Sequence, residues 1–161
     1  MSNIRENLMT MPVGWYKSFG EMLCKELEEE NEKSNLDLII LECKEKYGEL
    51  RVYCANSNEK ISAIIDKYSI ISQHVCISCG RPDVYILNFD WIEPMCKECY
   101  ERYINDTRTY EKVICQDAGL KLKNYYVVRI LEDDEWVTKK IDISDTVNEV
   151  RKRWLDANDL S

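Results

Sequence analysis

Cys76-Ile77-Ser78-Cys79-Gly80 and, after sixteen intervening residues, Cys96-Lys97-Glu98-Cys99 set the frame for everything else in this chain. Two residues between thiols let a tight turn aim both sulfurs at one ion, so each pair supplies one edge of a tetrahedron. Two such pairs at this separation are the pattern of a four-thiolate Zn²⁺ site, with Cys76, Cys79, Cys96 and Cys99 as ligands. Cys79-Gly80 fits a zinc knuckle, in which Gly takes the turn that points backbone N–H groups at thiolate sulfur. Val84 to Trp91 reads as a short hairpin with Asn88 near its turn, and Cys99 to Ile104 continues as a helix. Knuckle, hairpin and a ligand pair at a helix N-terminus form a treble-clef-like module over residues 76–106. A closed shell of four cysteines leaves no position for water or substrate, so the ion is expected to be structural, its binding coupled to folding. His74, the one histidine, is expected at the surface or behind the ligands.

Upstream, residues 12–75 read as a helix–hairpin–helix unit. Phe19, Met22, Leu23 and Leu27 recur at helical spacing. Glu26, Glu28, Glu29, Glu30 and Glu32 crowd the end of that helix, where the dipole disfavours anions, and are expected as a frayed, solvated end or as an acidic lure for a basic partner. Leu36 to Ala55 reads as a hairpin with Gly48-Glu49 as a type II′ turn, Gly supplying the positive φ. That register opposes Cys43 with Cys54 and puts Ile39, Leu41, Cys43, Tyr47, Leu50, Val52 and Cys54 on the core face. Lys44, Lys46, Arg51 and Tyr53 then form a basic patch on the other face, with Glu42 beside them. Asn56 and Glu59 stand at capping-box spacing before Ile61, Ile64, Ile65, Tyr68 and Ile71, the apolar face of a second helix.

Residues 107–161 read as a ββα segment. Tyr125 to Leu131 and Trp136 to Ile143 are strand-like, joined across Glu132-Asp133-Asp134-Glu135. Ser144 or Asp145 caps a last helix with Val147, Val150, Trp154 and Leu155 on one face. The fold class is therefore α+β: a helix–hairpin–helix unit, a zinc module and a C-terminal ββα segment.

Composition narrows the function. In 161 residues no apolar run approaches the roughly 18 needed to span a bilayer, and the N-terminus lacks a secretory h-region, so a cytoplasmic protein with no membrane partner is expected. The net charge of -8 disfavours non-specific binding to a nucleic-acid backbone. No Cys-His or Ser-His-Asp arrangement is patterned around the one histidine, phosphate-binding Gly-rich loops are absent, and no pattern marks a catalytic carboxylate pair, so no enzyme is expected. Cys24, Cys43, Cys54 and Cys115 lack ligand spacing and are expected as small hydrophobes. Trp15 and Tyr16 read as an anchor of the first helix.

Gly14-Trp15-Tyr16, the run Lys44-Glu45-Lys46-Tyr47-Gly48-Glu49-Leu50-Arg51-Val52-Tyr53 and the two cysteine pairs together resemble an uncharacterised family of small bacterial and phage proteins. Its members carry a Gly-Trp-Tyr start, a Lys-Glu-Lys-Phe-Gly-Gly-Leu-Arg-like hairpin and a Cys-x-x-Cys-Gly knuckle. The resemblance covers roughly residues 12–105, with Tyr47 in place of Phe and Glu49 in place of the second Gly. It implies a mobile-element setting and a metal site, and no settled activity. By analogy with small acidic phage proteins, the expected role is an inhibitor or adaptor that binds a host protein or nucleoprotein complex, such as a defence nuclease, through Glu28–Glu30 or Glu132, Asp133, Asp134 and Glu135. The alternative is a nucleic-acid-binding regulator working through Lys44, Lys46 and Arg51. A metal-dependent hydrolase is a third reading.

Overall fold

The computed structural model describes residues 3–82, 84–88, 92–107, 114–117 and 125–158. A short helix α1 (Ile4–Leu8), invisible to periodicity in so polar a start, lays Ile4 and Leu8 fully into the core. Then α2 (Val13–Trp15), a π-helical turn (Tyr16–Gly20) and α3 (Glu21–Ser34) follow with right-handed helical backbone at each junction. Trp15, Phe19, Leu23, Cys24 and Leu27 are buried along this run, while Met22 is half-buried.

The expected fraying of α3 is not what its end shows. Asn35 takes the left-handed conformation (φ 51), Asn35 N–H donates to Glu32 O and Leu36 N–H to Asn31 O. These two bonds are the Schellman pair that satisfies the terminal carbonyls.

Strands β1 (Ile39–Lys46) and β2 (Glu49–Ala55) form the expected hairpin in a different register. Lys46 opposes Glu49, so the two-residue loop is Tyr47-Gly48, with φ of 54 and 81. Positive φ at both central positions is a type I′ turn, whose twist matches the strands; Gly48 occupies its second position. Glu45 Oε1 accepts from Gly48 N–H at 2.7 Å and holds the loop. Cys43 therefore opposes Val52, and Cys54 opposes Ile40. A bulge between Ile40 and Glu42 adds a residue and flips the face before it. Ile40, Cys43, Leu50 and Val52 face the core and Cys54 is half-buried, whereas Ile39, Leu41 and Tyr47 are exposed.

Helix α4 (Glu59–Ser72) is capped by Asn58, whose Oδ1 accepts from Ile61 N–H at 2.9 Å; Asn56, the expected cap, instead sits in a left-handed turn at φ 60. Ile61, Tyr68 and Ile71 are fully buried, and Ile64 and Ile65 pack against them. Two serines fix α4 on the hairpin. Ser72 Oγ accepts from Leu50 N–H (2.9 Å) and Ser69 Oγ donates to Leu50 O (2.6 Å). Leu50 lies in a non-hydrogen-bonded pair of the ladder, so both its backbone groups point outward and need these partners.

Strands β3 (Tyr85–Asn88), β4 (Ile92–Met95) and β5 (Ile114–Asp117) form an antiparallel sheet in the order β4-β3-β5, with α5 (Lys97–Thr107) after β4. The hairpin expected inside residues 84–91 thus has its return strand at Ile92–Met95, and Pro94 is tolerated because β4 is an edge. Last come β6 (Tyr125–Glu132), β7 (Glu135–Asp142) and α6 (Ser144–Ala157). Asp133 and Asp134, at φ 48 and 65, make a second I′-type loop. Neither Ser144 nor Asp145 caps α6; Asp142 Oδ1 accepts from Ser144 N–H at 2.8 Å. Ile143, Val147 and Val150 join the same apolar cluster as Trp15, Phe19 and Tyr68, and Tyr126 packs against it. The described residues therefore form an α+β structure of helices and small antiparallel sheets. No helix among them is long and apolar enough to cross a membrane.

Candidate metal centre

Cys76 follows the end of α4 by four residues, Cys79 closes the knuckle, Cys96 directly follows β4 and Cys99 lies in the first turn of α5. Backbone hydrogen bonds bring the pairs together. Cys76 N–H donates to Arg81 O (2.8 Å) and Gly80 N–H to Cys76 O (3.0 Å), while Ile77 N–H donates to Pro94 O (2.9 Å). The last of these fixes the knuckle beside the strand leading to Cys96. Gly80 sits at φ 85, left-handed space that favours Gly.

The four Sγ atoms lie within 4.8 Å of one another, the one such ligand group among the described residues. A tetrahedral ion with metal–sulfur bonds of about 2.3 Å separates its sulfurs by about 3.8 Å; Cys79 Sγ and Cys96 Sγ are 3.7 Å apart. The residues fit a metal ion. Their protonation chemistry points the same way. Burial would raise the Cys76 thiol, but backbone N–H groups of Cys79, Cys96 and Ser78 offset it and hold Cys76 below the ordinary thiol range. Burial pushes Cys96 up to about 11 and Cys79 higher still, and a Cys76 thiolate nearby adds to both. Four thiolates so close and so buried need a cation to be deprotonated together.

The centre is gripped from both ends of the chain. Gly14 N–H donates to Ile77 O at 3.0 Å, and Trp15 Nε1–H donates to Val75 O at 3.0 Å with the indole fully buried. A Cβ on Gly14 would stand 2.3 Å from Cys76 O, so only Gly allows this approach. From the other end, Trp154 Nε1 of α6 lies 3.4 Å from Cys79 O. The Arg81 guanidinium stacks 5.3 Å from the Trp154 ring and pairs at 3.0 Å with Glu98 of α5, which lies between Cys96 and Cys99 in sequence. Periodicity placed Trp154 on the apolar face of its helix but gave no signal that it meets the knuckle. Arg81 carried no signal at all.

The candidate partner-binding residues fall into three places. Lys44 opposes Arg51 across the β1–β2 hairpin. Glu42 pairs with Lys44 at 3.1 Å, Glu49 pairs with Arg51, and Lys44 and Lys46 lie over the Tyr53 and Tyr47 rings, each 5.7 Å from the centroid. Acids interleave with this basic patch and mute its field. On α3, Glu30 is buried and accepts from Ser34 Oγ (2.6 Å) and Asn58 Nδ2 (3.3 Å), so it is a structural acceptor and no lure. Glu28 accepts from Cys24 Sγ, and Glu29 stands 4.0 Å from Lys25. Glu132, Asp133, Asp134 and Glu135 are all exposed at the β6–β7 tip, where Glu132 pairs with Lys139. Directly behind the tip, Leu131 and Trp136 oppose each other and are 56% and 53% exposed.

His74 is half-buried and lies outside the ligand group. The side chains of Cys115 and Trp91 lie outside the described residues. No protein-family model, curated protein or solved structure matches the chain.

Proposed function

We propose that the protein is a non-catalytic binding protein, braced by a structural Zn²⁺ in a treble-clef-like module, that presents the β6–β7 tip to a basic surface on a partner protein. The observation that carries this reading is the tip itself. Four consecutive acids on a tight loop are backed by an exposed Trp136–Leu131 pair, an apolar anchor inside a charged rim. The other candidate surfaces are weaker, since their charges are largely taken up by internal partners. In the mobile-element setting that the family resemblance implies, the partner is a host protein or nucleoprotein complex that handles nucleic acid. The acidic tip then occupies a basic groove built for phosphates and acts as an inhibitor or adaptor.

Affinity capture from the native host tests this. Wild-type protein, D133K/D134K/E135K, W136A and an E29K/E32K control are compared as baits. The tip reversal should lose the captured partner and W136A should weaken it at least tenfold, with the α3 control unaffected. Equal capture by wild type and the tip reversal would end the reading.

A further inference from the structure

The C-terminal helix α6 touches the metal centre at one place and the apolar core at another. Val147 and Val150, in its first half, are buried in the core. Trp154, in its second half, is half-buried and reaches the carbonyl of the ligand Cys79. Between this second half and the π-helical turn lies a cavity of about 580 Å³, lined by Lys17, Ser18, Met22, Cys79, Arg153 and Trp154. Apolar packing therefore fixes the start of α6, while half-buried Trp154 and Leu155 seat its end, Trp154 against the Cys79 carbonyl. Cys79 is also the half-exposed member of the ligand set; Cys76, Cys96 and Cys99 are buried. The indole thus stands over the side of the centre where the thiols are most accessible.

The groups that hold Trp154 are themselves positioned by the ligand loops. Cys79 O belongs to a ligand residue, the Arg81 backbone O accepts from Cys76 N–H, and the Arg81 guanidinium is tied to Glu98 between Cys96 and Cys99. With the four sulfurs closed on an ion these atoms are in place. Without an ion, only the Arg81–Glu98 pair and the Ile77 N–H bond to Pro94 O hold the Cys76–Arg81 loop beside the second cysteine pair. We infer that the second half of α6 is a cover for the metal centre, its docking and metal retention reciprocally coupled through Trp154 and Arg81. Whatever metal binding contributes to docking, docking returns to metal binding by the same factor. This inference does not depend on what the β6–β7 tip binds.

The test uses the full chain loaded with Zn²⁺. Release to excess chromogenic chelator is timed for wild type, W154F, W154A, R81Q and K152A, the last an exposed α6 position. W154F removes the indole donor and keeps a ring, so release should quicken about threefold. W154A and R81Q remove the cation–ring contact as well as cover or tether, and should quicken it about tenfold. K152A should match wild type. In parallel, hydrogen exchange in the zinc-free protein should show protection lost over residues 151–157 while α4 peptides keep theirs. If W154A does not fold, W154F and R81Q decide. If removing zinc unfolds α4 too, the release rates decide. Wild-type release from both W154F and R81Q, or undiminished protection of 151–157 without zinc, overturns the inference.

Discussion

Gly14→Ala separates two opposed expectations. Gly14 lies in a helix, and helix propensity alone predicts that Ala stabilises by about 1 kcal/mol. Packing predicts the reverse. The added Cβ would sit 2.3 Å from Cys76 O and 2.6 Å from both the carbonyl carbon and oxygen of Ile77. All are backbone atoms, held by the hydrogen bonds that shape the knuckle, so no side chain can rotate away. Relief requires the helix to back off the knuckle by roughly an ångström, an overpacking cost of about 1–3 kcal/mol. That shift also stretches the Gly14 N–H bond to Ile77 O and the Trp15 indole bond to Val75 O, each contributing about 1 kcal/mol. The net expected loss is about 2–4 kcal/mol, or roughly 5–15 °C in Tm for a chain of this size. Gly20→Ala is the internal control. The three atoms nearest its Cβ would all belong to the Tyr16 ring, the closest at 2.4 Å, and that ring can swing aside at the cost of its 2.8 Å bond to Glu21. Its loss should stay within about 1 kcal/mol. Thermal and urea unfolding of both variants in metal-saturated buffer measure the difference. A Gly14→Ala protein melting at or above wild type would refute the close-approach argument.

Three further outcomes follow from local geometry. Tyr47 is exposed yet held at φ 54 in the first central position of a type I′ loop, so Tyr47→Asn should raise stability by about 0.5–1 kcal/mol in urea unfolding. Hydrogen bonding from Ser34, with Asn58 assisting, holds the Glu30 carboxyl below its usual range. Such a lowered value contributes stability above the unfolded pKa of about 4.3 and loses it as pH falls through the folded value; Glu30→Gln should flatten that acid limb in melts run from pH 7 to 3. Burial raises the Cys43 thiol to about 12, and it faces Val52 rather than Cys54. A thiol reagent at pH 8 should therefore label half-buried Cys54 well before Cys43, and mild oxidation should form no 43–54 cross-link.

Alternation along Ile39–Lys46 and Glu49–Ala55 was enough to place two paired strands, but a two-residue loop can be centred one position earlier or later with the same Gly. What chose Tyr47-Gly48 was the demand that Leu50 bury its side chain while Ser69 and Ser72 take its outward backbone groups. A period-two pattern also cannot announce a bulge, so Ile39 and Leu41 looked like core residues although Ile40 is the one buried. Asn56 and Asn58 both precede a helix; only the backbone conformation decides which is the cap.

Short-range spacing was enough to read the four-cysteine cluster, the α+β class and the apolar faces of the longer helices. These depend on short spacings, where bond lengths and helical or extended periodicity leave few alternatives. What those pieces do to one another was set by long-range packing. Gly14 had to be glycine because a knuckle some sixty residues away occupies the space of its Cβ. Glu30 left the acidic cluster because Asn58 lies beside it. Trp154 meets the four-cysteine cluster because α6 brings its indole to the Cys79 carbonyl. Each is a contact between distant segments, set by how the whole chain excludes water from one core, and no local pattern encodes it.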